Sequence, residues 1–265
     1  MNTQFPAIAI EGDYVRATDH VEKGTALIDG KATVIAVVGI LAGILATFGV
    51  GLIVLFLYPL FAAYMHRKAV ARMHGSGVLV SNRQFPEIHH CLLTFQKRLR
   101  IKKNVSIYIG EGTVFDTFVV KYGRRNVILL SDELVDRCIT SANPSALAFI
   151  IGHETGHIAL KHTTVFRTLL RQFNKKLSRL DEYSADAVAT ALVGDPSIAY
   201  TGLLLLTISS TLLPYVSPEN VILQAQEVAE NKYTEKTEYR LSHPLLFNRL
   251  HRVLKTPERQ KVGRR

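Results

Sequence analysis

The chain has 265 residues, 48% of them hydrophobic, and a formal net charge of +10 at pH 7, so it is long enough for one substantial domain and an appendage. The positive charge is not accompanied by a helix-turn-helix, zinc-finger or aromatic-studded strand motif, which argues against specific nucleic-acid binding. The two cysteines, Cys91 and Cys138, match no metal-binding spacing and indicate a reducing compartment.

A long apolar segment, residues 32–65, follows a polar N-terminal stretch, residues 1–31. It contains no Asp, Glu, Lys or Arg and exceeds the roughly 20 residues that a helix needs to cross a bilayer. It is also too long, and too far into the chain, for a cleaved signal peptide. We therefore predict a transmembrane anchor, either one span or a tight hairpin turning near Gly49. The alternative is a buried core helix.

The charges that flank this segment predict its orientation. Arg67, Lys68 and Arg72 follow it, whereas acidic residues outnumber basic ones before it. Lys and Arg favour the cytoplasmic side of a membrane. The C-terminal part is therefore expected on the cytoplasmic side of the cell (inner) membrane, with its basic face against the lipid bilayer.

The next region has one helical and three strand-like patterns. Apolar spacing predicts a helix at 87–99, and alternation predicts strands at 105–109, 113–120 and 126–130. Residues 122–124 are typical of a hairpin turn, so we expect a small antiparallel sheet. With the helices downstream, this predicts a mainly helical α+β domain at 75–254, followed by a basic tail at 255–265.

The pentapeptide His153-Glu154-Thr155-Gly156-His157 lies inside a helix that Asn143 and Pro144 are suited to begin. Residues four apart share a helix face, so the two imidazoles can hold one Zn²⁺. Glu154 would then lie beside the metal and take a proton from a water molecule. The alternative, two core histidines beside a glutamate, would bury an unpaired carboxylate at a cost.

A third ligand is expected from the acidic start of the next apolar helix. One continuous helix would place Glu182 about 37 Å from His157, so the chain must turn back, which we expect at 174–178. Two histidines and one glutamate leave a zinc position for water. Asp186, one turn later, would accept the free N–H of a ligand histidine. The alternative is an ordinary acidic helix start.

Together these motifs resemble the gluzincin membrane metallopeptidases of the HtpX, Ste24 and Oma group. His-Glu-x-x-His is followed by Glu-x-x-x-Asp and then by a His-Pro segment, in which Arg249 comes shortly after His243 and Pro244. The three motifs occur in the order found in that group, and the resemblance covers residues 105–254.

The resemblance implies a zinc endopeptidase with one Zn²⁺ per chain that cleaves misfolded or membrane proteins, in protein quality control. It implies that His243 polarises the scissile carbonyl or steadies the oxyanion, and that Arg249 holds the carboxylates of the site. It also implies a substrate bound as an extended strand at a sheet edge, formed by Val114, Phe115, Asp116, Thr117 and Phe118. The rival hypothesis is a membrane-tethered zinc-binding regulatory protein without turnover.

The chain departs from this group in several places. HtpX-type enzymes have further membrane spans between the zinc helix and the third ligand. Here that segment is hydrophilic and carries a basic stripe at four-residue spacing, formed by Arg167, Arg171, Lys175 and Arg179. We interpret the stripe as a solvated face; the alternative is a contact with lipid headgroups. His162 is off the helix face of His153. The apolar run 198–216 is predicted to pack on the core or lie at the membrane interface. Asp116 replaces a usual asparagine.

Overall fold

The computed structural model describes residues 5–8, 10, 12–47, 50–111, 117–122 and 125–262. Three residues of the predicted substrate edge, Val114, Phe115 and Asp116, lie outside this part of the chain. Gly49 of the possible anchor hairpin, and Gly123 and Arg124 of the predicted strand turn, also lie outside it.

The described residues form a mainly helical α+β structure, which confirms the predicted fold class. The helices are α1 Thr25–Ala46, α2 Val50–Ser76, α3 Pro86–Arg98, α4 Asp132–Thr140, α5 Ala146–Ala159, α6 Val165–Phe173, α7 Lys175–Val193, α8 Pro196–Leu205, α9 Pro218–Glu230, α10 Lys232–Glu238 and α11 Leu246–Val262. The strands are β1 Val78–Leu79, β2 Val105–Gly110, β3 Thr117–Tyr122 and β4 Arg125–Ser131, and 3-10 turns occur at Ala17–His20 and Leu213–Tyr215.

The sheet has the strand order β1-β2-β4-β3 and is mixed. The predicted antiparallel sheet is wrong for one pair, because β4 lies between β2 and β3 and runs parallel to β2. β3 and β4 are antiparallel, with Thr117 opposite Leu130. Among the described residues, no strand pairs with the other side of β3, which therefore forms one end of the sheet.

Helix α5 is the central element of the core. All its residues from Ala146 to Ile158 are buried, and it packs against α3, α7 and α8. The chain enters α5 through a turn in which the Ala146 N–H donates to the Asn143 carbonyl (3.0 Å), so the helix begins close to the predicted start at Asn143 and Pro144. The predicted packing of the run 198–216 on the core is observed for its helical part, since Ala199, Leu203 and Leu205 of α8 are buried.

Two glycines on α5 allow α7 to approach closely. A Cβ added at Gly152 would be 3.2 Å from the Ala189 Cα, and one added at Gly156 would be 3.3 Å from the Val188 Cβ. At these distances a methyl group fits only if the neighbouring helix gives way by a few tenths of an ångström. The close approach brings Glu182 and Asp186 of α7 within contact of His153.

We expect the Gly152→Ala variant to lose about 1–3 kcal/mol of unfolding free energy, because the new methyl group must push the α7 backbone away. The measurement is the thermal unfolding midpoint of the full chain in detergent. Gly39→Ala in α1 is the matched control, since a Cβ there meets nothing within 4 Å. Equal midpoints for wild type and Gly152→Ala would contradict the tight packing of α5 on α7.

The predicted anchor segment corresponds to α1 and the first part of α2. Among the described residues, α1 alone is long and apolar enough to cross a membrane, with a mean hydropathy of 1.9 over its most apolar window. The apolar part of α2, Phe56–Met65, is shorter. The first turns of α1 pack on the domain, because Ala32 is buried in a cluster with Leu170 and Leu177. The division into an anchor at 32–65 and a domain at 75–254 stays a prediction.

Candidate metal centre

Helix α5 places His153 and His157 one turn apart with their Nε2 atoms 3.1 Å from each other. Both side chains are buried. The Glu182 carboxylate faces both rings, with Oε2 3.4 Å from the His153 Nε2 and Oε1 3.5 Å from the His157 Nε2. One ligand atom from each of the three residues therefore lies within 4.8 Å of the other two.

Glu182 reaches this point because the helical path is broken twice, at 160–164 after α5 and at Asn174 between α6 and α7. The second break is the first residue of the predicted turn 174–178, whose other residues belong to α7. α6 ends at Phe173, and the Asn174 side chain caps α7 by accepting a hydrogen bond from the Leu177 N–H (3.0 Å). Asn174 has extended backbone dihedrals, which break the helical path. α7 then continues across α5 and buries Glu182 at the level of the histidines.

The three side chains fit a zinc ion. Two imidazole nitrogens and one carboxylate oxygen converging in a buried place are the donor set of catalytic zinc sites. Burial would raise the pKa of Glu182, but His157, His153 and His243 outweigh it and hold the pKa well below its usual range. Burial keeps the pKa of His157 well below its usual value, so this ring is neutral and has a lone pair to offer.

The carboxylate of Asp186 fixes the orientation of the His153 ring. Its Oδ1 is 2.8 Å from the His153 Nδ1, so the Nδ1–H donates to Asp186 and the Nε2 lone pair faces the centre of the site. Arg249 donates to both oxygens of Asp186, at 2.8 and 2.6 Å. Burial lowers the pKa of His153, but the hydrogen bonds to Asp186 and Glu182 outweigh it and raise that pKa to about 9. Metal binding would therefore displace a proton from this ring.

Glu154 lines the same cavity, which has a volume of about 460 Å³ and also contacts Thr117, His243 and Arg249. The carboxylate of Glu154 is buried, and its Oε1 accepts a hydrogen bond from the Thr117 hydroxyl (3.1 Å). Burial raises the pKa of Glu154 above the ordinary carboxyl value, and its charged neighbours only partly offset this effect. A desolvated carboxylate facing a cavity is suited to accept a proton.

His243 lies between α10 and α11 at the opening of the cavity, with its side chain half exposed. Its Nδ1 is 3.2 Å from the Glu182 Oε2. The structure thus brings His243 to the predicted ligands. Of the predicted substrate edge it describes Thr117, which lines the cavity, and the backbone of Phe118 in β3.

The prediction that the basic stripe is a solvated face is wrong for its three arginines. Arg167 donates to both oxygens of Asp181 (3.0 and 2.6 Å), and Arg171 donates to Glu182 (2.7 Å). Arg179 is buried and donates to backbone carbonyls, including that of Glu238 (2.6 Å). The physical reason is the helix break at Asn174, which folds α6 onto α7 and turns the arginines of α6 toward buried carboxylates. Lys175 is exposed, as expected.

His162 is not predicted from the sequence as a site residue, because the helical pattern places it on a helix that continues past His157, whereas α5 ends at Ala159. The His162 N–H donates to the His157 carbonyl (2.9 Å), so the chain turns back at this point. The His162 Nδ1 then lies 3.0 Å from the His157 Nδ1. The sequence signal that was available is the histidine shortly after the metal motif, where the apolar helical pattern stops.

Residues 82–169 match a family model described as Peptidase family M48. The match includes α3, the strands β2 to β4, α4 and α5 with His153, Glu154 and His157, and it confirms the resemblance to the HtpX and Ste24 group. No curated protein matches the chain. Glu182 lies beyond the matched residues, so its place in the metal-binding triad rests on the geometry of the site.

Proposed function

We propose, on the premise that residues 82–169 form a zinc metallopeptidase domain of family M48, that the chain is a membrane-anchored endopeptidase. Its substrates would be misfolded or membrane proteins, cleaved at the cytoplasmic side of the cell membrane. The observation that carries the proposal is the convergence of His153, His157 and Glu182 beside Glu154 at one open cavity.

His153, His157 and Glu182 would hold one Zn²⁺ per chain, which supplies Lewis acidity at the scissile carbonyl. Glu154 does the proton chemistry. Its carboxylate takes a proton as the water oxygen bonds to the carbonyl carbon, and it passes this proton to the amine nitrogen as the C–N bond breaks. The hydrogen bond from Thr117 holds the carboxylate in position.

Substrate binding is proposed along β3. One side of β3 pairs with β4, and its first residue, Thr117, lies in the cavity, so a peptide added to the other side would pass the site. Backbone hydrogen bonds of this kind accept many sequences, which suits an enzyme for misfolded chains. His243, at the opening of the cavity, would donate to the carbonyl oxygen as negative charge develops there.

The membrane anchor is proposed to be α1. An N-terminal apolar helix can also be a signal sequence, but the start of α1 belongs to the packing of the domain, since Ala32 is buried against Leu170 and Leu177. The neighbouring helix α6 exposes Val165, Phe166 and Phe173, apolar side chains that suit the interfacial region of a bilayer beside the anchor.

The test uses the full chain purified in detergent, with zinc measured by elemental analysis and cleavage measured on casein. We expect one zinc per chain, cleavage that a chelator abolishes, and recovery when zinc is returned. These results would support the endopeptidase. One zinc per chain without cleavage of casein or of a membrane-protein substrate would instead support the rival, a tethered zinc-binding regulatory protein.

A further inference from the structure

We propose that His162, Asp181 and Arg167 position the metal ligand His157, and that Asp29 of the apolar helix α1 is the outer end of this arrangement. We call the series His157–His162–Asp181–Arg167–Asp29 the anchor relay. The inference rests on the metal site proposed above. It adds a link between that site and the helix that would lie in the membrane.

The inner part of the anchor relay follows from the tautomers of two histidines. The His157 Nε2 faces the ligand atoms of His153 (3.1 Å) and Glu182 (3.5 Å), so ligation there requires the proton to be on Nδ1. That Nδ1 is 3.0 Å from the His162 Nδ1, so His157 donates and His162 accepts. His162 must then carry its proton on Nε2, which is 3.3 Å from the Asp181 Oδ1. One assignment of protons satisfies every contact.

The end of α5 brings His162 into this place. The Lys161 N–H donates to the Ile158 carbonyl (3.1 Å) and the His162 N–H to the His157 carbonyl (2.9 Å), which is a Schellman motif. Lys161 has a φ of 62°, the left-handed conformation that this motif requires and that glycine usually provides. The turn brings the His162 side chain back beside His157.

The Asp181 carboxylate faces the Nε2 atom of His162 and is held by an arginine. Its side chain is fully buried, and Arg167 donates to both carboxylate oxygens (3.0 and 2.6 Å). The other ligand histidine has the same support, since Asp186 accepts from His153 and Arg249 donates to both oxygens of Asp186. Each ligand histidine is thus supported by a buried carboxylate that a bidentate arginine holds. The support of His153 by Asp186 is direct, whereas His162 lies between His157 and Asp181.

The outer part of the anchor relay reaches α1. The Arg167 guanidinium also forms an ion pair with Asp29, and Ile28, Ala32 and Ala36 of the same helix pack on Leu170 and Leu177. A displacement of α1 would therefore move Arg167, and with it Asp181 and His162. The expected consequence is that zinc affinity depends on how α1 is seated on the domain.

The first test compares His162→Leu with His162→Gln in the full chain in detergent. The measurements are the zinc Kd, by competition with a chromophoric chelator, and the visible spectrum of the cobalt-substituted protein. We expect His162→Leu to raise the Kd about 10–100-fold and to change the cobalt spectrum. A glutamine can accept from His157 and donate to Asp181, so His162→Gln should recover part of the affinity. A wild-type Kd and spectrum in His162→Leu would overturn the proposal.

The second test concerns the link to α1. Asp29→Ala should raise the zinc Kd by about tenfold or less, since it removes the most distant member. Glu22→Gln is the matched control, because it loosens another ion pair of the N-terminal segment, with Arg252 (2.7 Å), that is not part of the anchor relay. An unchanged Kd in Asp29→Ala, or an equal rise in both variants, would overturn the link. A wild-type chain that binds no zinc would instead refute the proposed function.

Discussion

The Glu154→Gln variant is expected to keep one zinc per chain and to lose about 10²–10⁴-fold in kcat/KM. Glutamine has nearly the same shape as glutamate and can still contact the Thr117 hydroxyl, which Glu154 accepts from at 3.1 Å. Its amide cannot take a proton from the attacking water. The loss should therefore fall on kcat, while substrate binding along β3 is retained. Cleavage of casein and zinc content are measured on the same preparation.

The matched control for this variant is Thr117→Val, which removes the hydrogen bond to Glu154 but leaves the carboxylate. We expect a much smaller loss of kcat in this control, because the base is less well held but still present. Full activity of Glu154→Gln would rule out Glu154 as the proton acceptor. An equal loss in both variants would place the defect in the local packing instead.

The Glu182→Ala variant is expected to lose its zinc. Structural zinc sites with four ligands contribute about 10–16 kcal/mol of apparent binding free energy, so one ligand accounts for roughly 2.5–4 kcal/mol. At about 1.4 kcal/mol per tenfold change, the zinc Kd should rise about 10²–10³-fold. Removal of the carboxylate also takes away the nearer of two carboxylates around Arg171, whose Nη2 is 2.7 Å from Glu182 and whose Nε is 3.6 Å from Asp181, so positive charge near the site is less well compensated.

Zinc stoichiometry after gel filtration is the measurement for this second variant. Glu182→Gln keeps one oxygen at the site and should retain more zinc than Glu182→Ala. Glu219→Gln, at the solvent-exposed start of α9, is the control for loss of a carboxylate as such. Unchanged stoichiometry in Glu182→Ala would show that the third ligand is another residue.

The metal-binding triad was predictable because each part of it depends on short-range rules. The four-residue spacing of His153 and His157 fixes a shared helix face. The distance along a continuous helix required a turn before Glu182, and the polar residues at 174–178 were the place for it. Asn174 provides this turn by capping α7.

The rest depends on contacts between distant parts of the chain. Strand alternation locates β2, β3 and β4, but it does not give the strand order, in which β4, buried from residue 126 to 131, lies between the other two. The arginines of the basic stripe were misassigned because an exposed face and a row of buried ion pairs have the same spacing. His162 depends on a left-handed residue, Lys161, at a position where the sequence has no glycine.

The docking of the first turns of α1 on α6 and α7 has a consequence for substrate choice. With α1 in a bilayer, as proposed, this attachment would keep the cleft of the metal site at a constant height above the lipid surface. A membrane-embedded substrate would then be cut at a set number of residues from the point where it leaves the bilayer. The length of unfolded substrate chain between the bilayer and the cleft would then decide which membrane proteins the enzyme can cleave.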